Sequence, residues 1–164
     1  MSTKPEKVAE AREAAMVAIA GRDHTRQELT RLLERKGFSP AVVTEAIAEL
    51  EQLGLVDDQR VASAFVRTRL EASPTARTLL ESMLEERGVD PVVVDAVLAE
   101  SMQGRDEEGD ALELARLKVR TSPARLPPEA IRRRVYAHLI RRGFDEETAR
   151  AAVERAADEY LGRA

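Results

Sequence analysis

Apolar residues recur along this chain at helical spacing, and no segment alternates convincingly with the period of a strand. Leu29, Leu80 and Val135 stand eight residues before Gly37, Gly88 and Gly143. Leu33, Leu84 and Leu139 stand four before them, and Ile47, Leu98 and Val153 ten after. Residues four apart share one face of a helix, so each set describes two helices packed through a turn at the glycine. The segments ERKGFSPAVV, ERGVDPVVV and RRGFDEETA carry those turns. Each places a glycine where a helix ends in the left-handed region, then Phe38, Val89 or Phe144 to pack back on the last turn. Ser39, Asp90 and Asp145 follow as residues able to cap the next helix, with Pro40 and Pro91 at its first position.

A further apolar run precedes each hairpin: Val8, Ala11, Ala15, Ala18 and Ile19; Val61, Phe65, Val66 and Leu70; Leu112, Ala115 and Val119. The pattern therefore predicts helices over 5–20, 26–36, 40–53, 58–72, 75–87, 91–103, 107–120, 128–142 and 146–161. Thr25 with Glu28 has the spacing of a capping box. In TSPARLPP, 121–128, three prolines exclude helix. The glycines repeat at intervals of 51 and 55 residues. The expected fold is all-α: three tandem three-helix repeats, over 1–56, 57–105 and 106–164, forming an elongated, curved helical array in which each repeat packs on its neighbour.

Composition agrees, with Ala, Leu, Glu and Arg abundant and only five aromatic residues. There is no cysteine, which removes disulfides and thiolate metal sites. No run approaches the length of a membrane span, and the first twenty residues alternate charges without a signal-like apolar core, so a cytoplasmic protein is expected. The net charge of −4 hides an asymmetry. Residues 1–110 hold 14 basic and 22 acidic side chains, whereas 111–164 hold 12 and 8, so the last repeat is basic.

Catalytic chemistry does not assemble: no phosphate loop, dinucleotide fingerprint or nucleophile elbow is present. No enzyme, metal or cofactor is expected. His24 reads as a loop polar group and His138 as a semi-buried ring beside the third core face. Asp57 and Asp58, after Gly54, start a helix, where one caps amides and the other complements the dipole. The most suggestive surface is cationic. Arg132, Arg133, Arg134, Arg141 and Arg142 share a helix with the core residues Ile131, Val135 and Leu139, and Arg116, Lys118, Arg120 and Arg125 lie nearby in sequence. They form either a solvated face or a docking surface for phosphate and carboxylate. Tyr136 is the only aromatic in that helix, so stacking platforms for bases are scarce.

The run GRDHTRQELTRLLERKGF followed by VVTEAIAELEQLGLVDDQRVASAFVRTRL resembles the RecX family of bacterial regulatory proteins. The resemblance includes Arg22, His24, Glu28-Leu29, Gly37-Phe38, Gly54, Asp57-Asp58, Arg60, Ala62, Phe65-Val66 and Arg69, and continues through Gly88 to Arg142-Gly143-Phe144. Val61 departs from the family's usual Phe, and Ala72-Ser73 replace a glycine-containing turn. The resemblance implies an inhibitor of the RecA recombinase, acting in recombination, DNA repair and the SOS response. It implies a chain lying in the groove of the RecA filament on single-stranded DNA, spanning more than one protomer and suppressing ATP hydrolysis, strand exchange and co-protease activity. The expected binding residues are Arg69, Arg116, Lys118, Arg120, Arg132, Arg133, Arg134, Arg141 and Arg142. The expected partner is the RecA filament, with single-stranded DNA as a weak second partner and a monomer as the working form. Two other classes compete, a helix-turn-helix DNA reader and a helical scaffold for peptides. A reader would carry Arg, Asn or Gln on its second hairpin helix, where this chain has Thr44, Glu45, Glu49, Asp95 and Glu100.

Overall fold

A computed structural model describes residues 3–160. All regular structure there is helical: α1 (Lys4–Gly21), α2 (Arg26–Arg35), α3 (Pro40–Gln52), α4 (Asp58–Ala72), α5 (Arg77–Glu86), α6 (Pro91–Ser101), α7 (Glu107–Arg120), α8 (Pro128–Arg141) and α9 (Glu146–Tyr160). These bounds fall within two residues of those the pattern predicts, and position 161, expected to close the last helix, lies outside the described residues. The nine positions aligned on the three glycines are all buried.

The hairpin turns form for the reason their sequence suggests. Gly37 adopts φ +91°. Its amide donates to the Glu34 carbonyl at 2.9 Å and the Phe38 amide to Leu33 at 3.2 Å, the paired bonds that close a helix end through a left-handed residue. The same pair of bonds recurs at Gly88–Val89 and Gly143–Phe144. At the helix starts that follow, Asp90 accepts from the Val92 amide at 2.8 Å and Asp145 from Thr148 at 2.9 Å. Ser39 differs from expectation: its hydroxyl makes no capping bond. Pro40, like Pro91 after the capping Asp90, opens its helix at a position where the missing N–H costs nothing.

The chain divides into two compact units, residues 1–65 with 83–97, and 66–82 with 98–164. Helices α4, α5 and α6 each contribute to both. In the first unit α1, α2 and α3 pack mutually around Val8, Ala11, Ala15, Leu29, Leu33, Val42, Val43, Ala46, Ile47 and Leu50. In the second, α7, α8 and α9 enclose Ala111, Leu112, Ala115, Val119, Ile131, Val135, Leu139, Phe144, Ala149, Val153 and Ala156. In both bundles the flanking helix, α1 or α7, meets the far helix of the hairpin, α3 or α9, partly through alanines. Small side chains let those axes approach closely, while the leucines of the hairpin fill the wider space. Pro128 opens α8 at its first position, where the missing donor costs nothing, and Leu126 of the proline-rich segment packs on the second core.

Candidate protein-binding surface

Two polar constellations stand out, one inside each unit. In the first, the start of α2 is a fully engaged cap. The Thr25 hydroxyl accepts from the Glu28 amide at 3.1 Å, and the Glu28 carboxylate accepts from the Thr25 amide at 3.0 Å. Onto this cap comes Arg87, the residue before Gly88. Its guanidinium donates to both Glu28 oxygens at 2.9 and 3.0 Å and to the Asp23 carbonyl at 3.3 Å, with the Phe65 ring 5.5 Å from its charge. Its carbonyl accepts from the buried Thr25 hydroxyl at 2.7 Å. Burial alone would raise the Glu28 carboxyl, but the hydrogen bonds from Arg87 and the Thr25 amide outweigh it and hold it below the usual carboxylate range.

The second constellation repeats the first with different partners. Arg142, the residue before Gly143, donates to the Pro74 and Ser73 carbonyls, each at 3.0 Å, and to the Thr75 hydroxyl at 2.6 Å. Its carbonyl accepts from the Ala76 amide at 3.0 Å, and the Gly143 carbonyl accepts from the Thr78 hydroxyl at 2.7 Å. A Cβ on Gly88 would overlap the Gln27 side chain, and one on Gly143 would fall 2.5 Å from the Leu79 Cβ. These two glycines therefore serve close packing as well as backbone conformation.

Asp57 and Asp58 divide their work. The Asp57 carboxylate accepts from the Arg60 amide at 3.0 Å, a cap on its own helix. Asp58 instead accepts from the Arg26 amide at 2.7 Å, so it serves the start of α2, thirty-two residues away. Among the described residues no group of three or more His, Cys, Asp or Glu side chains could hold a metal ion. A cleft of about 660 Å³ at the first turns of α7 and α9 is lined by Asp106, Glu108, Asp145, Glu147, Thr148 and Arg155, where the Thr148 hydroxyl donates to Asp145 at 2.7 Å as part of the cap of α9.

The expected cationic residues separate into two groups. Several are neutralised within the chain. Arg116 is paired through both of its donors with Glu159 at 2.6 and 2.8 Å, and Arg132 donates to Glu129 at 3.0 Å with Glu154 4.0 Å from its Nε. Arg120 lies 6.0 Å from the centre of the Tyr160 ring, and Arg142 donates only to neutral groups of the loop before α5 and so keeps its charge. Positive charge collects at the end of α8. Arg133, Arg134 and Arg141 are exposed on α8. Burial, then the charges of Lys118, Arg141 and Arg142, hold His138 below its ordinary value, and the charge of Arg69 bears in turn on Arg142. Lys118 of α7, Arg141 at the end of α8 and Arg142 just after it thus add positive charge around His138, and Arg69 of α4 adds to that felt by Arg142. Such a concentration of one sign is electrostatically complementary to phosphate or carboxylate.

Sequence reasoning missed Arg87 as a positioning residue. Its signal was present: a basic residue before Gly88 and Gly143, with Thr25 and Thr75 at the preceding hairpin starts. What the sequence does not show is that the two pieces meet across 59 to 68 residues.

Comparison with known proteins places these features. Residues 11–50 match the family model of the first three-helix domain of RecX, and residues 57–98 match that of the second. The regulatory protein RecX of Halorhodospira halophila is 38% identical over 152 residues, covering 90% of this chain and 88% of that protein. The one from Chlorobaculum tepidum is 31% identical over 140 residues, covering 85% and 84%. The crystal structure of RecX from Lactobacillus salivarius superposes with a TM-score of 0.75 at 17% identity, over 93% of this chain and 97% of that one, a likeness of fold. The relatives are regulatory proteins by name, and the chain belongs to the RecX family.

Proposed function

We propose that this chain is a negative modulator of the RecA recombinase, binding the RecA filament on single-stranded DNA and lowering its ATP turnover, strand exchange and co-protease activity. Family membership supplies the recombinase. In this molecule, the observation that supports docking is the positive charge of Lys118, Arg141 and Arg142 around His138, with Arg133 and Arg134 exposed on the same helix. A filament of acidic protein surface and phosphate backbone is the natural complement. The chain works as a monomer of three repeats, 1–56, 57–105 and 106–164, in the cytoplasm, and its several modest patches reinforce one another by engaging neighbouring subunits of one filament.

The helix-turn-helix reading has less support. On α3 the carboxylates of Glu45 and Glu49 are exposed enough to meet a phosphate backbone, and they pair with Lys4 at 2.7 Å and Arg12 at 2.7 Å. A major-groove reader would carry donors there.

The test reverses the charge of two residues that no ion pair among the described residues involves. Lys118→Glu with Arg141→Glu is compared with Lys7→Glu with Arg31→Glu, an equal charge change on exposed residues of the first unit. Inhibition of RecA ATP turnover by the first variant should weaken by about tenfold or more at low salt, and the difference should narrow as salt is raised. Equal inhibition by both variants at every salt concentration would remove this surface from the docking site.

A further inference from the structure

The basic-Gly-apolar turn occurs three times in this chain, and two of the three are occupied. Arg87-Gly88-Val89 seats on the start of α2 and Arg142-Gly143-Phe144 on the start of α5. In each, the turn offers guanidinium donors, carbonyl acceptors at the basic residue or its glycine, and a glycine face flat enough to rest on the side chain of the receiving helix's first turn. The receiving piece offers a threonine hydroxyl and loop carbonyls, with Glu28 added in the first case. Val89 and Phe144 are both 3% exposed as a result of their surroundings.

The third turn, Lys36-Gly37-Phe38, is open. Lys36 and Gly37 are exposed, a Cβ on Gly37 would meet nothing within 4 Å, and Phe38 is only half-buried. Its backbone is nevertheless set in the same form, with the same two closing bonds and φ +91° against +78° and +87°. The conformation that docks twice elsewhere is thus preformed here without a receiver, so binding there requires little ordering.

The geometry points to the Lys36–Phe38 turn as a docking surface for a helix start of a protein partner, one presenting a Ser or Thr hydroxyl and open loop carbonyls. The chain itself shows twice what such a turn accepts. A second copy is poorly equipped to supply the receiver. Its helix starts at Thr25 and Thr75 already hold an arginine turn, and the start of α8 has Pro127 in the capping position, without a hydroxyl. The starts at Thr3, which keeps a capping box, and at Ser39, whose hydroxyl makes no capping bond, are the receivers that self-association would use. Taken with the proposed function, on which this inference rests, the partner's helix start belongs to a subunit of the RecA filament.

The test uses full-length protein and RecA assembled on single-stranded DNA. Gly37→Asn keeps the left-handed turn accessible, since asparagine tolerates that region best after glycine, while its side chain projects from the docking face. Lys36→Glu reverses the charge where the occupied turns carry a guanidinium, and Lys36→Arg supplies that guanidinium. Lys7→Glu serves as the charge control. Gly37→Asn and Lys36→Glu are expected to raise the half-inhibitory concentration for ATP turnover by about tenfold, with Lys7→Glu near the parent and Lys36→Arg equal to or tighter than it. Circular dichroism melts check the fold of each variant. Parental inhibition by folded Gly37→Asn and Lys36→Glu overturns the inference and leaves the proposed function standing. Absence of inhibition by the parent overturns both. Light-scattering masses showing parent dimers that Gly37→Asn dissolves would reassign the turn to a contact between copies and overturn it as well.

Discussion

Replacing Arg87 by Met keeps an unbranched stem of similar length and removes the guanidinium that joins the turn at Gly88 to the start of α2. The loss includes a bidentate bond to Glu28, whose side chain is 19% exposed against 20% for Arg87. Hydrogen bonds to charged groups contribute roughly 1.5–3 kcal/mol when well shielded, and this partial exposure places the pair in the lower half of that range. The bond to the Asp23 carbonyl adds about 0.5–1 kcal/mol, and the charge 5.5 Å from the Phe65 ring about 0.5 kcal/mol. The expected destabilisation is about 2.5–3.8 kcal/mol, or a fall of roughly 5–15 °C in melting temperature for a chain of this size. Its pH dependence is fixed in sign. Glu28 is held below its unfolded value, so its contribution is present above the unfolded pKa and disappears as pH falls through the lower folded value. The gap between parent and variant should therefore be full near about pH 7 and narrow toward about pH 3. Urea unfolding followed by circular dichroism at both pH values measures it, and Glu28→Gln alone and combined with Arg87→Met closes a double-mutant cycle. A neutral-pH difference under about 0.5 kcal/mol, or one that does not change with pH, would refute the account of the clamp.

The glycines should respond unequally. Gly88→Ala combines a left-handed backbone with overlap on Gln27 and is expected to cost about 2 kcal/mol or more, whereas Gly37→Ala meets open space and should cost only the conformational penalty of about 1 kcal/mol; equal thermal shifts would contradict the close approach. Asp57→Asn should retain its cap within about 0.5 kcal/mol, while Asp58→Ala should cost about 1 kcal/mol and speed amide exchange at Arg26, the donor it serves on α2. Exchange accelerating at Arg60 and not at Arg26 in the Asp58 variant would place its role on its own helix.

What was legible in the sequence was what is local. A glycine followed by Phe38, Val89 or Phe144 and then a capping residue specifies a helix end and a helix start within a few positions, so the hairpins and their bounds follow from backbone chemistry alone. The buried faces follow from spacing for the same reason. Ser39 shows the limit even there: its hydroxyl makes no capping bond, whereas Asp90, also exposed and followed by proline, caps its helix. Long-range polar partners were not legible. Nothing near Asp58 in sequence announces the Arg26 amide, and nothing near Arg116 or Arg132 announces the carboxylates of Glu159 and Glu154 on α9. Equally, nothing in the sequence announces that Lys118 of α7 and Arg141 of α8 both act on His138. Arg142 illustrates both sides, contributing positive charge to that surface while its donors hold the loop before α5.

The measurement that bears most directly on the central claim is ATP turnover by RecA on single-stranded DNA, titrated with this protein at fixed salt and nucleotide, with filament binding followed in the same samples by co-sedimentation. The account predicts that the protein pellets with the filament and that turnover falls progressively toward a low plateau as it does so. Unchanged turnover, with the protein left in the supernatant at a micromolar excess over RecA, would contradict it.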